Sequence, residues 1–133
     1  MFSVTAKTQY GIRALVHLAE RKGEASTAAE IAESQSISPK YLEGILSRLA
    51  ASGLLISERG KHGGYHLSRN PEDIAMLEVV NALEGEIKPV GCVNDMAQCG
   101  LGVGCLPRKF WIELKESIDG YLESRTLKDI TGL

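Results

Sequence analysis

The sequence has no long apolar run, few aromatic residues and no strong excess of charge of either sign. Aromatic residues are 5% of its 133 residues, and 15 Lys and Arg stand against 17 Asp and Glu, for a net charge of −2. No stretch approaches the roughly 18 apolar residues that a membrane-spanning helix needs, and the N-terminus lacks the apolar core of a secretion signal. These absences predict a cytoplasmic protein with no membrane partner.

Signatures of enzymes are also missing. The sequence shows no Ser/His/Asp arrangement, no His-Glu-x-x-His motif and no phosphate-binding loop, and its cysteines have no nearby histidine to act as a base. We therefore expect a protein that is not an enzyme and has no small-molecule substrate.

The charge that is present is unevenly spread. Residues 1–69 carry nine basic and six acidic side chains, for +3, whereas residues 70–133 carry six and eleven, for −5. This pattern fits a DNA-binding head on a regulatory body, although ordinary variation along a surface explains so small an imbalance about as well. Alone it decides nothing; with the predicted elements described below, we expect a DNA-binding region over 1–70 and a connecting and dimerising region over 71–133.

Three helices are predicted in the front half from apolar spacing and end signals. Thr27 and Glu30 are spaced as a capping box at the start of the second helix. In the third, SPKYLEGILSRLAASG, Ser38 can cap the first turn, Pro39 suits the first helical position and Gly53 ends the helix. The apolar stripe of the first helix is Ile12, Leu15, Val16 and Ala19, and that of the third is Leu42, Ile45, Leu46 and Leu49.

A β-hairpin is predicted after the third helix, with strands in LLISER and YHLSR around the glycine-rich loop GKHGG. Helix, helix, tight turn, helix and hairpin is the order of a winged helix-turn-helix. The expected fold is therefore mainly α with a small β-hairpin wing, followed by a long C-terminal dimerisation helix. Winged helices bind DNA or, in the rival interpretation, other proteins.

The DNA interpretation assigns contacts to two places. The N-terminal end of a recognition helix faces base edges in the major groove, and here it presents Ser38, Lys40, Tyr41 and Glu43. Glu43 can accept a hydrogen bond from cytosine, while Lys40 and Tyr41 suit phosphates. The wing tip can enter an adjacent minor groove with Arg59, Gly60, Lys61, His62, Gly63 and Gly64.

The segment SPKYLEGILSRLAASGLLISERGKHGGYHLSR closely resembles the Rrf-two family of bacterial transcription regulators, and the cysteine content resembles its cluster-binding members. The wing motif Arg-Gly-x-x-Gly-Gly-Tyr, from Arg59 to Tyr65, is the most specific feature. The ends TAKTQYGIRAL and SRTLKDI also resemble the family. The resemblance implies a homodimer that binds double-stranded palindromic operator DNA as a repressor, with Thr5 and Lys7 near the DNA backbone.

Two further helices are predicted in the back half, over residues 72–84 and 108–124. The second has an apolar surface wide enough to need a partner beyond its own domain; packing against the preceding helix is the alternative. The residues predicted to form the dimer interface are Phe110, Trp111, Leu114, Ile118, Tyr121 and Leu122.

All three cysteines lie between these helices, in GCVNDMAQCGLGVGC (91–105). The spacing Cys92-x6-Cys99-x5-Cys105 is wider than that of structural zinc sites, and every histidine lies upstream. Iron–sulfur clusters are held by cysteine thiolates, and the surrounding glycines would let backbone amides approach cluster sulfurs. The resemblance to the cluster-binding members of the family implies an iron–sulfur cluster on Cys92, Cys99 and Cys105, with a switch by thiol oxidation or a partner protein as the alternative.

The type of cluster, 2Fe–2S or 4Fe–4S, and its fourth ligand are not identified by the sequence. Some relatives take the fourth ligand from a histidine three residues after the third cysteine, where this chain has Arg108. Others use an acidic residue near the N-terminus of the partner subunit, where this chain has Gln9, a poor ligand for iron. Three cysteines with an open or exogenous fourth position would make a labile cluster.

Overall fold

The computed structural model describes residues 3–61, 63–90 and 106–132. These ranges contain five α-helices and a two-stranded antiparallel hairpin, in the order α1 (Ala6–Glu20), α2 (Ala28–Gln35), α3 (Pro39–Ala51), β1 (Leu55–Glu58), β2 (Gly64–Leu67), α4 (Met76–Glu84) and α5 (Leu106–Ser124). Short 3-10 turns lie at Pro71–Asp73 and Leu127–Ile130. The expected fold class, mainly α with a hairpin wing, is confirmed. None of the described helices is both long and apolar enough to cross a membrane.

The core lies where α1, α3 and α4 meet. The predicted stripe of α3 is fully inside it, and its members are at most 2% exposed: Leu42, Ile45, Leu46 and Leu49. The stripe predicted for α1 is only half right, because Ile12 and Val16 are half-buried while the buried face also includes Ala14 and Leu18. The buried face of α1 therefore differs from the predicted one, and it places Gly11 against Leu83 of α4.

Of the two helix caps predicted from the sequence, the cap by the Thr27 side chain forms and the cap by Ser38 does not. The Thr27 hydroxyl does accept the Glu30 amide at 3.1 Å. The Ser38 side chain makes no capping hydrogen bond, so this prediction is wrong. Its ψ is 127°, whereas the capping residues Thr5 and Thr27 have ψ of 155° and 159°; the Ser38 hydroxyl is therefore not turned onto the first turn. Pro39 lies in the first turn as expected.

The fourth helix is shorter than expected, since it begins at Met76 rather than near Pro71. Ala75 is extended and forms an antiparallel bridge with Thr126. The Met76 amide donates to the Arg125 carbonyl at 2.9 Å, and the Leu127 amide donates to the Ile74 carbonyl at 2.9 Å. Because these bonds use the backbone of the region between the 3-10 turn and α4, the helix cannot extend backwards through it.

Candidate DNA-binding surface, cysteine segment and dimer helix

The exposed face of α3 carries all four side chains predicted at its N-terminal end. Ser38, Lys40, Tyr41 and Glu43 are exposed, while Leu42 between them is buried. The tight turn before α3 depends on Ser36, whose φ is 55°. This left-handed residue turns the chain between α2 and α3. One face of α3 then packs in the core through Leu42 and Ile45, and the opposite face stays exposed.

Lys7 of α1 lies beside the same end of α3. A hollow of about 520 Å³ separates the two helices, and its lining combines basic, aromatic and small residues: Lys7, Ser38, Lys40, Tyr41, Gly44 and Ile45. Two lysines from different elements therefore share one surface depression. Such a surface can accept a phosphate group of a nucleic acid.

Sequence reasoning missed two neighbours of this hollow, Tyr10 and Arg13. The Tyr10 and Tyr41 rings meet edge to face, with centroids 5.8 Å apart, and the Arg13 guanidinium lies 5.5 Å from the Tyr10 centroid. Arg13 also donates to the Gln35 carbonyl at 2.5 Å. The available signal was the spacing along α1: Tyr10 lies three residues after Lys7 and Arg13 three residues after Tyr10, and residues three apart are neighbours on a helix surface.

The wing is a short hairpin whose loop projects basic residues. β1 and β2 pair Leu55 with Leu67 and Glu58 with Gly64. Arg59 and Lys61 in the loop between them are exposed, as the sequence predicts for a wing tip. His62, also predicted there, lies outside the described residues.

Gly64 has a role inside the fold that the sequence did not indicate. The Tyr65 amide donates to the Ser26 carbonyl at 2.8 Å, and the Ser26 amide donates to the Tyr65 carbonyl at 2.9 Å. These bonds attach the wing to the segment before α2. A Cβ on Gly64, whose φ is +136°, would lie 2.4 Å from the Ser26 carbonyl oxygen. Only glycine permits this approach, so the wing motif shapes the hairpin, and DNA contacts of its glycines stay a prediction.

Thr5 lies apart from the hollow, at the start of α1. Its amide and hydroxyl both donate to Oε1 of Glu84, at 2.8 and 2.7 Å. These hydrogen bonds, the one from the hydroxyl most of all, hold the pKa of Glu84 below its ordinary value. Partial desolvation acts in the opposite direction, while a hydrogen bond from Thr8 and the positive charge of Lys7 lower the pKa further. Thr5 thus binds a carboxylate of its own chain, and its predicted contact with DNA stays a prediction.

The three cysteines lie outside the described residues, which reach Val90 and resume at Leu106. Within the described ranges, no group of three His, Cys, Asp or Glu side chains could hold a metal ion. Gln9, the residue at the position of the partner-subunit ligand in some relatives, donates from Nε2 to the Val4 carbonyl at 2.9 Å.

The residues predicted for a dimer interface lie on α5, which has no buried residue. Phe110 and Tyr121 are 60% and 61% exposed, and Leu106 at the helix start is 86% exposed. The other four are half-buried: Trp111, Leu114, Ile118 and Leu122. α5 begins two residues before the predicted start, with Pro107 in its first turn.

An open groove of about 670 Å³ runs beside the C-terminal half of α5. Its apolar lining comes from α1, α4 and α5 and includes Ile12, Met76, Val80, Ile118, Tyr121 and Leu122. One protomer therefore presents exposed apolar side chains at the start of α5 and an apolar groove near its end.

Comparison with known proteins agrees with this architecture. The sequence model of the Rrf2 family, described as "Iron-dependent Transcriptional regulator", matches residues 4–132. The HTH-type transcriptional regulator CymR of Bacillus subtilis is 33% identical, over 97% of this chain and 89% of that protein. The HTH-type transcriptional regulator IscR of Photobacterium profundum is 35% identical, over 96% of this chain and 74% of that protein.

The fold is also similar to a solved structure of CymR, "the Global Cysteine Regulator of B. subtilis". The TM-score is 0.78 at 31% identity, covering 98% of this chain and 96% of that one. The relatives are regulators of transcription rather than enzymes. With a family match over nearly its whole length, the chain belongs to the Rrf2 family of transcriptional regulators.

Proposed function

We propose that this protein is a homodimeric repressor that binds a palindromic operator, and that the chemistry of Cys92, Cys99 and Cys105 sets its affinity for that DNA. Residues 1–70 form the DNA-binding region and residues 71–133 the connecting and dimerising region. The proposal gives each half of the chain a separate task.

The observation that supports DNA binding is that cations from two elements, α1 and α3, line one hollow at the start of α3. Lys7 from α1 and Lys40 from α3 line one hollow, and the wing adds exposed Arg59 and Lys61. Phosphate contacts supply much of the affinity for DNA, while the α3 side chains are suited to base edges. A dimer doubles this modest charge.

The groove and the exposed apolar residues of α5 support the homodimer. A helix with Phe110 and Leu106 largely exposed leaves apolar area that monomeric proteins usually cover. A two-fold axis near α5 would bring the exposed start of one helix toward the groove beside the other, which is how an isologous interface is built. The DNA-binding regions of the two subunits would then lie at a fixed separation, as half-sites on DNA require.

An iron–sulfur cluster is the first candidate for the chemistry at the cysteines. Three thiolates are suitable donors, and the matching family model is described as iron-dependent. When bound, such a cluster would supply sensitivity to iron, oxidant or nitric oxide. Ligation by the three cysteines, with an open or exogenous fourth position, is the form proposed.

Thiol oxidation without metal is the second candidate. The similarity to a solved structure of Staphylococcus aureus CymR in an oxidized form, with a TM-score of 0.73 at 26% identity, favours it. Cysteine thiols are oxidised readily where they are accessible and their pKa is low. The two candidates predict different behaviour of iron-free protein. A metal-free switch needs reversible disulfide formation that changes DNA binding.

The test of the cluster is an anaerobic absorption spectrum with iron and sulfide analysis. Wild-type protein reconstituted with iron and sulfide should show a visible charge-transfer band, and Cys92→Ala, Cys99→Ala and Cys105→Ala should each lose it. A colourless wild-type protein after reconstitution contradicts the cluster. If iron-free protein also binds DNA equally before and after oxidation, the thiol switch is contradicted as well.

The test of DNA binding is the salt dependence of affinity for a duplex selected on wild-type protein from a random-sequence library. Each of Arg59→Ala and Lys61→Ala should reduce the slope of log K against log salt by about 1. Lys128→Ala, in the C-terminal 3-10 turn, is the matched control and should leave the slope unchanged. No salt-dependent binding to any duplex would contradict the proposal.

A further inference from the structure

The last turn of α4 contacts both helices that carry the proposed DNA-binding residues. Arg48 of α3 donates from Nε to the Ala82 carbonyl at 2.8 Å. This bond satisfies one of the carbonyl groups that a helix end leaves without an internal partner. The recognition helix is therefore hydrogen-bonded directly to the C-terminal end of α4.

The next residue, Leu83, brings three helices together. Its side chain is fully buried. A Cβ added to Gly11 of α1 would lie 2.6 Å from Leu83 Cδ1 and 3.3 Å from Ile45 Cγ2 of α3. Gly11 is thus required by close packing, and in a core at this density a shift of Leu83 moves its neighbours on α1 and α3.

The third residue of the turn, Glu84, holds the start of α1. Its Oε1 accepts the amide and the hydroxyl of Thr5 at 2.8 and 2.7 Å, and Thr5 is the N-cap of α1. Lys7, two residues further along, lines the hollow with Lys40. The position of the Glu84 carboxylate therefore bears on where Lys7 stands relative to α3.

The chain leaves α4 directly after this turn and runs toward the cysteines. Gly85 ends the helix with φ of 83°. Glu86 then lies 3.7 Å from the Lys115 ammonium of α5, and Cys92 follows six residues later in the sequence. One short stretch thus contacts α1, α3 and α5 immediately before the cysteine-containing segment.

We propose that residues 82–84, the coupling turn, transmit the state of the cysteines to the DNA-binding surface, with Glu84 as the positioning residue for α1 and Lys7. The inference rests on the proposed function, since it concerns how that function is regulated. Coupling needs an element whose position both sites affect. The coupling turn is such an element, because it is held by α1 and α3 and is covalently continuous with Glu86, which pairs with Lys115 of α5, and with the chain leading to Cys92.

The test compares Glu84→Ala with Glu84→Gln in the full chain. Alanine removes the acceptor for Thr5, whereas glutamine keeps an oxygen that can accept both hydrogen bonds. Glu78→Ala is the matched control, because Glu78 lies on the same helix and pairs with Arg69, at 2.5 Å, instead of with α1. The probe is the duplex selected on wild-type protein, and affinity is measured for protein reconstituted with iron and sulfide and for the same protein after chelation or thiol oxidation.

The expected result concerns the ratio of the two affinities. In wild type, a ratio of about 5- to 150-fold is the usual scale of coupling. Glu84→Ala should reduce the ratio by about 2- to 30-fold, the range of substitutions that modulate coupling, while Glu84→Gln and Glu78→Ala keep it. Amide hydrogen exchange supplies a second readout: in wild type, but not in Glu84→Ala, exchange over residues 5–9 should differ between the two states.

Failure of the inference and failure of the proposed function give different results. A wild-type ratio of one removes the regulated function and this inference with it. A wild-type ratio well above one that Glu84→Ala leaves intact overturns the inference alone. An equal loss in Glu78→Ala also overturns it, because the effect would then come from α4 as a whole.

Discussion

The apolar face of α3 is buried in the core, whereas the apolar face of α5 is not. The apolar stripe of α3 is at most 2% exposed, whereas α5, the longer helix, has no buried residue. Both are amphipathic, so their sequence patterns look alike. An apolar stripe in the sequence therefore does not by itself indicate whether the rest of the same chain covers it.

This comparison separates two kinds of interaction in the chain. The stripe of α3 is covered by α1 and α4, and its opposite face is left for DNA in the proposed function. The apolar residues of α5 are half covered by the protomer, and the second subunit would cover the rest. Substitutions in the two helices should therefore affect different equilibria.

The largest effect is expected in α3. Leu46→Ala should lower the free energy of unfolding by about 2–5 kcal/mol, since it removes a fully buried side chain and leaves a cavity. Urea unfolding followed by circular dichroism at one fixed protein concentration measures this. The matched change at an exposed leucine, Leu106→Ala, should alter stability by no more than about 0.5 kcal/mol at a concentration where both proteins are monomers. Equal losses in both would contradict the contrast between the helices.

The next largest effect is expected in α5 and concerns association. Phe110→Ala should raise the dimer dissociation constant about 10- to 100-fold, as truncation of an interface aromatic commonly does. Sedimentation equilibrium measures the constant directly. Ile56→Ala is the control, because Ile56 is 46% exposed on the wing strand and lies outside the proposed interface. A wild-type protein that stays monomeric would refute the assignment of α5 to a dimer.

A smaller effect compares two glycines, one in each helix. Added Cβ atoms at Gly44 and Gly120 would meet no atom within 4 Å outside the adjacent residues and the backbone of their own helix. Packing in the described residues therefore does not require glycine at either position. Alanine should stabilise each helix by about 1 kcal/mol, seen as a rise in thermal midpoint. Gly44→Ala should nevertheless weaken duplex binding, because the methyl group would enter the hollow beside Lys7 and Tyr41, where DNA is proposed to approach.

Gly120→Ala is the matched change for this prediction. It should stabilise the protein to a similar extent and leave duplex affinity unchanged at concentrations where the protein is dimeric. Unaltered duplex affinity in Gly44→Ala would mean that DNA does not approach the backbone of α3 at that point.

Local signals in the sequence were enough to predict the helices, the hairpin and the exposed end of α3. Such signals depend on residues within one or two helical turns, as the burial of Leu42, Ile45 and their neighbours shows. The wing loop was predicted for a similar reason. Its glycines, however, were predicted to contact DNA, whereas glycine is required at position 64 because the backbone there lies against Ser26.

The errors and omissions involve partners that are distant in the sequence. The start of α4 was misplaced because Ala75 pairs with Thr126, and no local pattern indicates such a bridge. The bond between Thr5 and Glu84 spans 79 residues, so it was invisible to spacing arguments. Capping by Ser38 failed for a different reason, since residue type permits a cap but backbone angles decide whether it forms.

The smallest predicted effect is a dependence of stability on pH that arises at Glu84. Because hydrogen bonds from Thr5 hold the pKa of this carboxyl below its ordinary value in the folded protein, the ionised form contributes stability at neutral pH. That contribution should stay constant above the unfolded-state pKa of about 4.3 and disappear as pH falls through the lower folded-state pKa. The difference in thermal midpoint between wild type and Glu84→Gln, measured across this acidic range, should therefore shrink on acidification. Thr5→Ser keeps the hydroxyl and should retain the pH dependence, whereas Thr5→Ala should lose part of it; a difference that is independent of pH would show that the Thr5 bonds do not favour the carboxylate.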